Sequence, residues 1–148
     1  MYYLEAEQSF DAAHFLKGYQ GKCKNLHGHR WRVVVSVRGQ ALQASGPEAG
    51  MLLDFSTLKD ALKDLTEEFD HALLLEEGSL RPETLAALEA EEFRLVRLPF
   101  RTTAENLARY FYGRLREMRL PVARVAVYET PANCAVFEEQ EAEPNVQL

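Results

Sequence analysis

Cys23-Lys24-Asn25-Leu26-His27-Gly28-His29 concentrates the side chains most capable of chemistry in this sequence. A strand over residues 26–37 would project His27 and His29 from one face, because side chains two apart lie on the same side. The two imidazoles would then sit within roughly 7 Å, close enough to share a metal. Gly28 between them keeps the far side of the strand open. Cys23 stands between Lys22 and Lys24, and nearby cations raise the thiolate fraction of a thiol. A His-x-His pair alone is a weak signal, and two strand histidines with ordinary partners are its commoner explanation. His14, at the end of an apparent strand over residues 9–14, is a candidate third ligand. Three histidines with no obvious fourth ligand describe an open, catalytic zinc site more than a closed structural one.

Two carboxylates add to this set. Asp70 precedes His71, and such a pair either orients the imidazole and raises its basicity or is a solvated charge at a helix end. Glu129 follows a run of apolar positions and is either an exposed strand end or an anchor inside a pocket.

The elements that must position these groups follow from periodicity. Residues 2–10 alternate apolar with Glu5, Glu7 and Ser9, the pattern of a half-buried strand. The β-branched run Trp31 to Val37 predicts a second strand, antiparallel to the first. Residues 40–50 read as a polar loop. Asp54 is an N-cap for a helix whose seam is Phe55, Leu58, Leu62, Leu65 and Phe69, closed by Asp70 and His71. Pro82 opens a short helix over residues 83–90, and residues 93–100 alternate apolar and basic groups as a strand or sheet edge. Thr102-Thr103-Ala104-Glu105 fits a capping box for a second long helix with the stripe Leu107, Phe111, Leu115 and Met118. Residues 122–129 alternate again, and residues 135–137 pair back across a turn at Pro131.

Composition narrows the function classes. The 148 residues fit one domain over 1–140 with a frayed tail over 141–148, and a net charge of −6 argues against a nucleic-acid surface. Two cysteines are too few for a disulfide framework, so a reducing cytoplasm is expected. The N-terminus lacks the basic and apolar regions of a signal peptide, and no stretch approaches the length of a membrane span.

Six short segments, in order, resemble one family: Phe10-Asp11-Ala12-Ala13-His14; Cys23 with His27-Gly28-His29; Gly50-Met51-Leu52-Leu53-Asp54-Phe55; Asp70-His71; Thr103-Ala104-Glu105-Asn106; and Tyr128-Glu129-Thr130. The family is that of the 6-pyruvoyltetrahydropterin and 6-carboxytetrahydropterin synthases. The three residues between Cys23 and His27 resemble the 6-carboxy branch, which serves queuosine and related deazapurines.

The resemblance implies an α+β T-fold, a four-stranded antiparallel sheet with two long helices on one face. It implies homo-oligomers, trimers or hexamers, with active sites between subunits. It assigns Zn2+ to His14, His27 and His29, the general base to Cys23, and its relay to Asp70 and His71. Glu129 would anchor the pterin of a pterin triphosphate substrate, with Thr103 and Glu105 nearby. Two positions depart from the family pattern: Leu75 replaces Asn or Asp after Asp70-His71, and Arg101-Thr102 replaces Asn-Pro before the second helix. The implied activity is a zinc-dependent lyase forming 6-carboxytetrahydropterin, acetaldehyde and triphosphate, or its 6-pyruvoyl counterpart, which only eliminates triphosphate. A zinc hydrolase and a non-catalytic pterin- or metal-binding module are the rival readings.

Overall fold

Alternation builds the centre of the sheet. The computed structural model describes residues 1–140, and the expected tail over 141–148 lies outside them. β1 (Tyr2–His14) and β2 (His27–Gly39) pair antiparallel along their whole length, Tyr2 opposite Gly39 and His14 opposite His27. The first strand thus continues past Phe10 to the histidine. β5 (Val122–Thr130) adds to the far side of β2, and β6 (Asn133–Phe137) adds to β5, both antiparallel.

Among the described residues the sheet has six strands, in the order β4-β3-β1-β2-β5-β6, where four were expected. The four antiparallel strands are present, and β3 (Ala72–Glu76) and β4 (Leu95–Leu98) extend them in parallel. A parallel strand is covered on both faces, so it reads as a continuous apolar run rather than an alternating one. Ala72 to Leu75 is such a run, and Leu74 and Leu75 are buried. The unusual Leu75 lines a hollow beneath α2 (Pro82–Ala90), the helix that carries the chain from β3 to β4.

α1 (Phe55–Glu67) and α3 (Ala104–Glu117) both bury their apolar sides in one core. The core is completed by alternate strand positions: Ala6, Phe10 and Ala12 on β1, Trp31, Val33, Val35 and Val37 on β2, and Val125 and Val127 on β5. Phe55 and Met118, expected on the helix seams, are exposed, because each lies at a helix end where the seam runs off the core. Asp54 caps α1 as expected, its side chain accepting from Ser56 N. The cap of α3 is Thr103 and not Thr102: Thr103 Oγ1 accepts from Asn106 N, which leaves Glu105 on the exposed side with no capping partner. No helix among the described residues is long and apolar enough to cross a membrane.

Candidate active site

The core stripe ends in chemistry. On β1 the even positions face the helices, from Ala6 through Phe10 and Ala12 to His14. On β2 the odd positions do, from Val35 through Val33 and Trp31 to His29 and His27. On β5, Val125 and Val127 lead to Glu129 on the same face. Three strands therefore deliver His14, His27, His29 and Glu129 to one end of one sheet face. Each offers a ligand atom within 4.8 Å of the others'.

The imidazoles are packed together, with ring centroids 4.6 Å apart for His14 and His27, which are tilted, and 4.8 Å for His27 and His29 and 5.2 Å for His14 and His29, which meet face to edge. Trp31 closes the inner side, its ring 4.9 Å from His14 and 5.3 Å from His29, and its Nε1 donates to Ala12 O. Nδ1 of His14 lies 2.9 Å from Thr102 O, and Nδ1 of His27 lies 2.6 Å from Asn25 O. A carbonyl can only accept, so these nitrogens carry the ring protons and each Nε2 keeps a free lone pair. The three Nε2 atoms are buried and make no hydrogen bond among the described residues. Glu129 Oε1 comes within 2.9 Å of His29 Nε2 without aligning as a hydrogen bond.

Buried, convergent lone pairs without partners are costly unless something fills the space between them. Burial also holds His14 mostly neutral, its pKa lowered to about 4. His29 is lowered by burial as well, with Glu129 pulling the other way. Imidazoles that turn Nε2 to a common point, two of them fixed at Nδ1 by carbonyls, are what a zinc-type ion requires, so these residues fit the metal that the resemblance implied.

The thiol arrives on the loop between the two strands. Cys23 lies in a 3-10 turn, Lys22–Lys24, and its carbonyl accepts from Leu16 N at 2.8 Å, which closes the loop just beyond His14. Cys23 is half-buried, and its sulfur makes no hydrogen bond among the described residues.

Asp70 and His71 stand elsewhere on the same chain. His71 N donates to Asp11 O, Asp70 Oδ1 accepts from Asp11 N, and Asp70 Oδ2 lies 2.9 Å from His71 Nδ1. They sit level with Asp11, whose side chain points to the sheet face opposite the three histidines. These hydrogen bonds hold the Asp70 carboxyl below its usual range. His71 has a φ of 55°, a left-handed conformation that histidine adopts more readily than most residues, and its side chain is 77% exposed. It borders a cleft of about 630 Å³ lined by Ala12, Gly28, His29, Leu88 and Phe93. The structure thus brings Glu129 to the histidines, sets Thr103 as the cap of α3 next in sequence to Thr102, and groups Asp70 and His71 with Asp11 and not with Cys23.

Sequence reasoning missed Thr102 and Trp31. Thr102 is fully buried, and its carbonyl and Oγ1 lie 2.9 Å and 3.2 Å from His14 Nδ1. The available signal was the doubled threonine, since only one of the two can cap α3. Trp31 read as an ordinary strand residue, although it shares the helix-facing parity of His27 and His29.

Fold and site together define an α+β protein with a three-histidine cluster, able to hold a metal ion, at the end of its sheet. The chain belongs to the 6-pyruvoyl tetrahydropterin synthase family, whose sequence model matches residues 3–140. A 6-carboxy-5,6,7,8-tetrahydropterin synthase from Haemophilus influenzae is 36% identical, with 94% of this chain and 100% of that protein covered. One from Synechocystis is 37% identical over 78% of this chain and 97% of its own length. Among solved structures, an uncharacterized protein from Wolinella succinogenes has a TM-score of 0.76 at 21% identity, covering 94% and 98% of the two chains. The 6-pyruvoyl tetrahydropterin synthase of Caenorhabditis elegans has a TM-score of 0.65 at 25% identity, covering 94% and 96%.

Proposed function

We propose that this chain is a zinc-dependent pterin lyase that converts 7,8-dihydroneopterin triphosphate to 6-carboxy-5,6,7,8-tetrahydropterin, releasing acetaldehyde and triphosphate. It would act in the cytoplasm on the route to queuosine and related deazapurines. The observation that carries the reading is the set of three buried, convergent Nε2 atoms, none hydrogen-bonded among the described residues, on the two strands that the Cys23 loop joins, in a chain of this family.

His14, His27 and His29 would hold the metal, which when bound supplies Lewis acidity to the hydroxyls of the substrate side chain. Cys23 is the general base that takes and returns protons on that side chain. Glu129 receives the amino-pyrimidine edge of the pterin through charge-assisted hydrogen bonds and fixes the ring. Thr103, at the start of α3, borders the ring, whereas Glu105 points to solvent and contributes charge only at the rim. Asp70 orients His71, and the pair tunes Cys23.

The separation of Cys23 from Asp70 and His71 within one chain favours a relay completed between subunits. Edge strands β4 and β6 leave unpaired backbone groups, which association of sheets would satisfy. The expected assembly is a trimer or a pair of trimers.

Mass spectrometry of the products formed from 7,8-dihydroneopterin triphosphate tests the activity. The 6-carboxy product with equimolar acetaldehyde supports the lyase. A 6-pyruvoyl product without acetaldehyde replaces it with simple elimination. Triphosphate hydrolysis with the pterin side chain intact, or no turnover, refutes both.

A further inference from the structure

We infer that Arg101 is a positioning residue that holds the Cys23 loop against the histidine cluster. Its Nη2 donates to Lys17 O at 2.8 Å, 84 positions away in sequence. Its guanidinium faces the Tyr19 ring, 5.9 Å from the centroid. Tyr19 in turn covers Gly21, where a Cβ would lie only 2.6 Å from the ring. Tyr19 N donates to Leu16 O, and Leu16 N donates to Cys23 O. Arg101 therefore grips both the start of the loop and the aromatic lid on the turn that carries the thiol.

The grip is rigid at its own end. Asn106 Nδ2 and Thr103 N both donate to Arg101 O, tying it to the first turn of α3. The next residue, Thr102, holds His14 Nδ1. Two adjacent residues thus fix two halves of the site, Thr102 the imidazole and Arg101 the thiol loop, so their relative placement is set by one peptide unit. A planar guanidinium, with its donors in a fixed fork, can donate to Lys17 O and face the Tyr19 ring in one arrangement, which a flexible ammonium holds less well. Apart from hydrogen bonds within the loop itself and the contact of Asn25 O with His27, the loop is thinly anchored: Lys17, Tyr19, Lys22 and Lys24 are exposed, and none belongs to the packed core.

The test compares Arg101→Met, which keeps the stem and removes the donors, with Arg101→Lys, which restores one donor without the plane. Amide hydrogen exchange is followed at Leu16 and, as an internal reference, at Val33 and Val35. Arg101→Met should speed Leu16 exchange by about 10-fold or more and leave the strand amides unchanged, with zinc content equal to the parent. Arg101→Lys should fall between. Unchanged Leu16 exchange, or equal acceleration at Val33 and Val35, overturns the inference.

The catalytic consequence rests on the lyase reading. A loosened base should lower kcat by about 10- to 100-fold with little change in KM. Cys23→Ala assayed in parallel separates the two failures. If Cys23→Ala keeps full turnover, the role of Cys23 as base fails, while Leu16 exchange still decides whether Arg101 holds the loop. If Cys23→Ala is inactive and Arg101→Met keeps the parent kcat, Arg101 does not position the base.

Discussion

Glu129 Oε1 lies 2.9 Å from His29 Nε2, inside the cluster of three imidazoles rather than at an exposed strand end. It could serve as a fourth ligand or as an anchor for substrate, and the two roles predict different losses. As an anchor, Glu129→Gln should keep about one zinc per chain while kcat/KM falls on the order of 10- to 100-fold, the worth of one charged hydrogen bond. Zinc analysis beside steady-state kinetics decides. Zinc lost in step with activity would make Glu129 a ligand.

His27 hangs at the start of β2, half-exposed and outside the packed core. Its loss should remove a ligand without unfolding the sheet. His27→Ala is expected to weaken zinc binding by more than about 100-fold, beyond the usual cost of losing an outer-shell partner. Metal-free stability by urea titration should stay within about 1 kcal/mol of the metal-free parent. Full zinc occupancy in this variant would remove His27 from the ligand set.

These residues were legible early because period-2 alternation is a strong signal. Once His27 and His29 share a strand with Val33 and Val35, their common face follows from parity alone. The same rule could not find β3, since Ala72 to Leu75 is buried on both sides and does not alternate. Nor could it separate the two threonines before α3, because capping and imidazole contact use the same hydroxyl chemistry. Local pattern also says nothing of Arg101, whose partners lie 84 positions away and meet it only through the fold.

Acid should destabilise the metal-free protein through His14. Its pKa falls from 6.5 to about 4 on folding, mainly because burial penalises the charged ring. A depressed folded pKa means that the unfolded chain binds the proton first. The contribution is therefore fully present above about pH 6.5 and is lost as pH falls toward 4, on the order of 3 kcal/mol in all. His29, lowered for the same leading reason, adds with the same sign. Urea midpoints of chelator-treated protein between pH 7 and pH 4 should fall less steeply in His14→Phe. Identical slopes in parent and variant would show that His14 does not carry this linkage.

The relay makes the most demanding prediction, because it requires two copies of the chain. Cys23→Ala should keep its zinc and its fold, since among the described residues the thiol makes no hydrogen bond and is not one of the clustered ligands. Its turnover should fall about 10²–10⁴-fold, the usual cost of removing a positioned proton-transfer group. His71→Ala should also lose activity, and for a second reason: alanine tolerates a φ of 55° less well than histidine does, so the Asp70 turn will relax. His71→Asn, which suits that backbone but cannot relay a proton in the same way, separates conformation from chemistry. If Cys23 of one subunit works with Asp70 and His71 of another, each single variant is inactive alone. Co-assembly of Cys23→Ala chains with His71→Ala chains, unfolded together and refolded, then creates some interfaces with both groups intact. Random mixing places an intact pair at about a quarter of the sites, so activity should return to roughly that share of the parent's. Recovery on mixing is incompatible with a relay inside one chain. No recovery from oligomers shown by native mass spectrometry to contain both variants would sink the shared site.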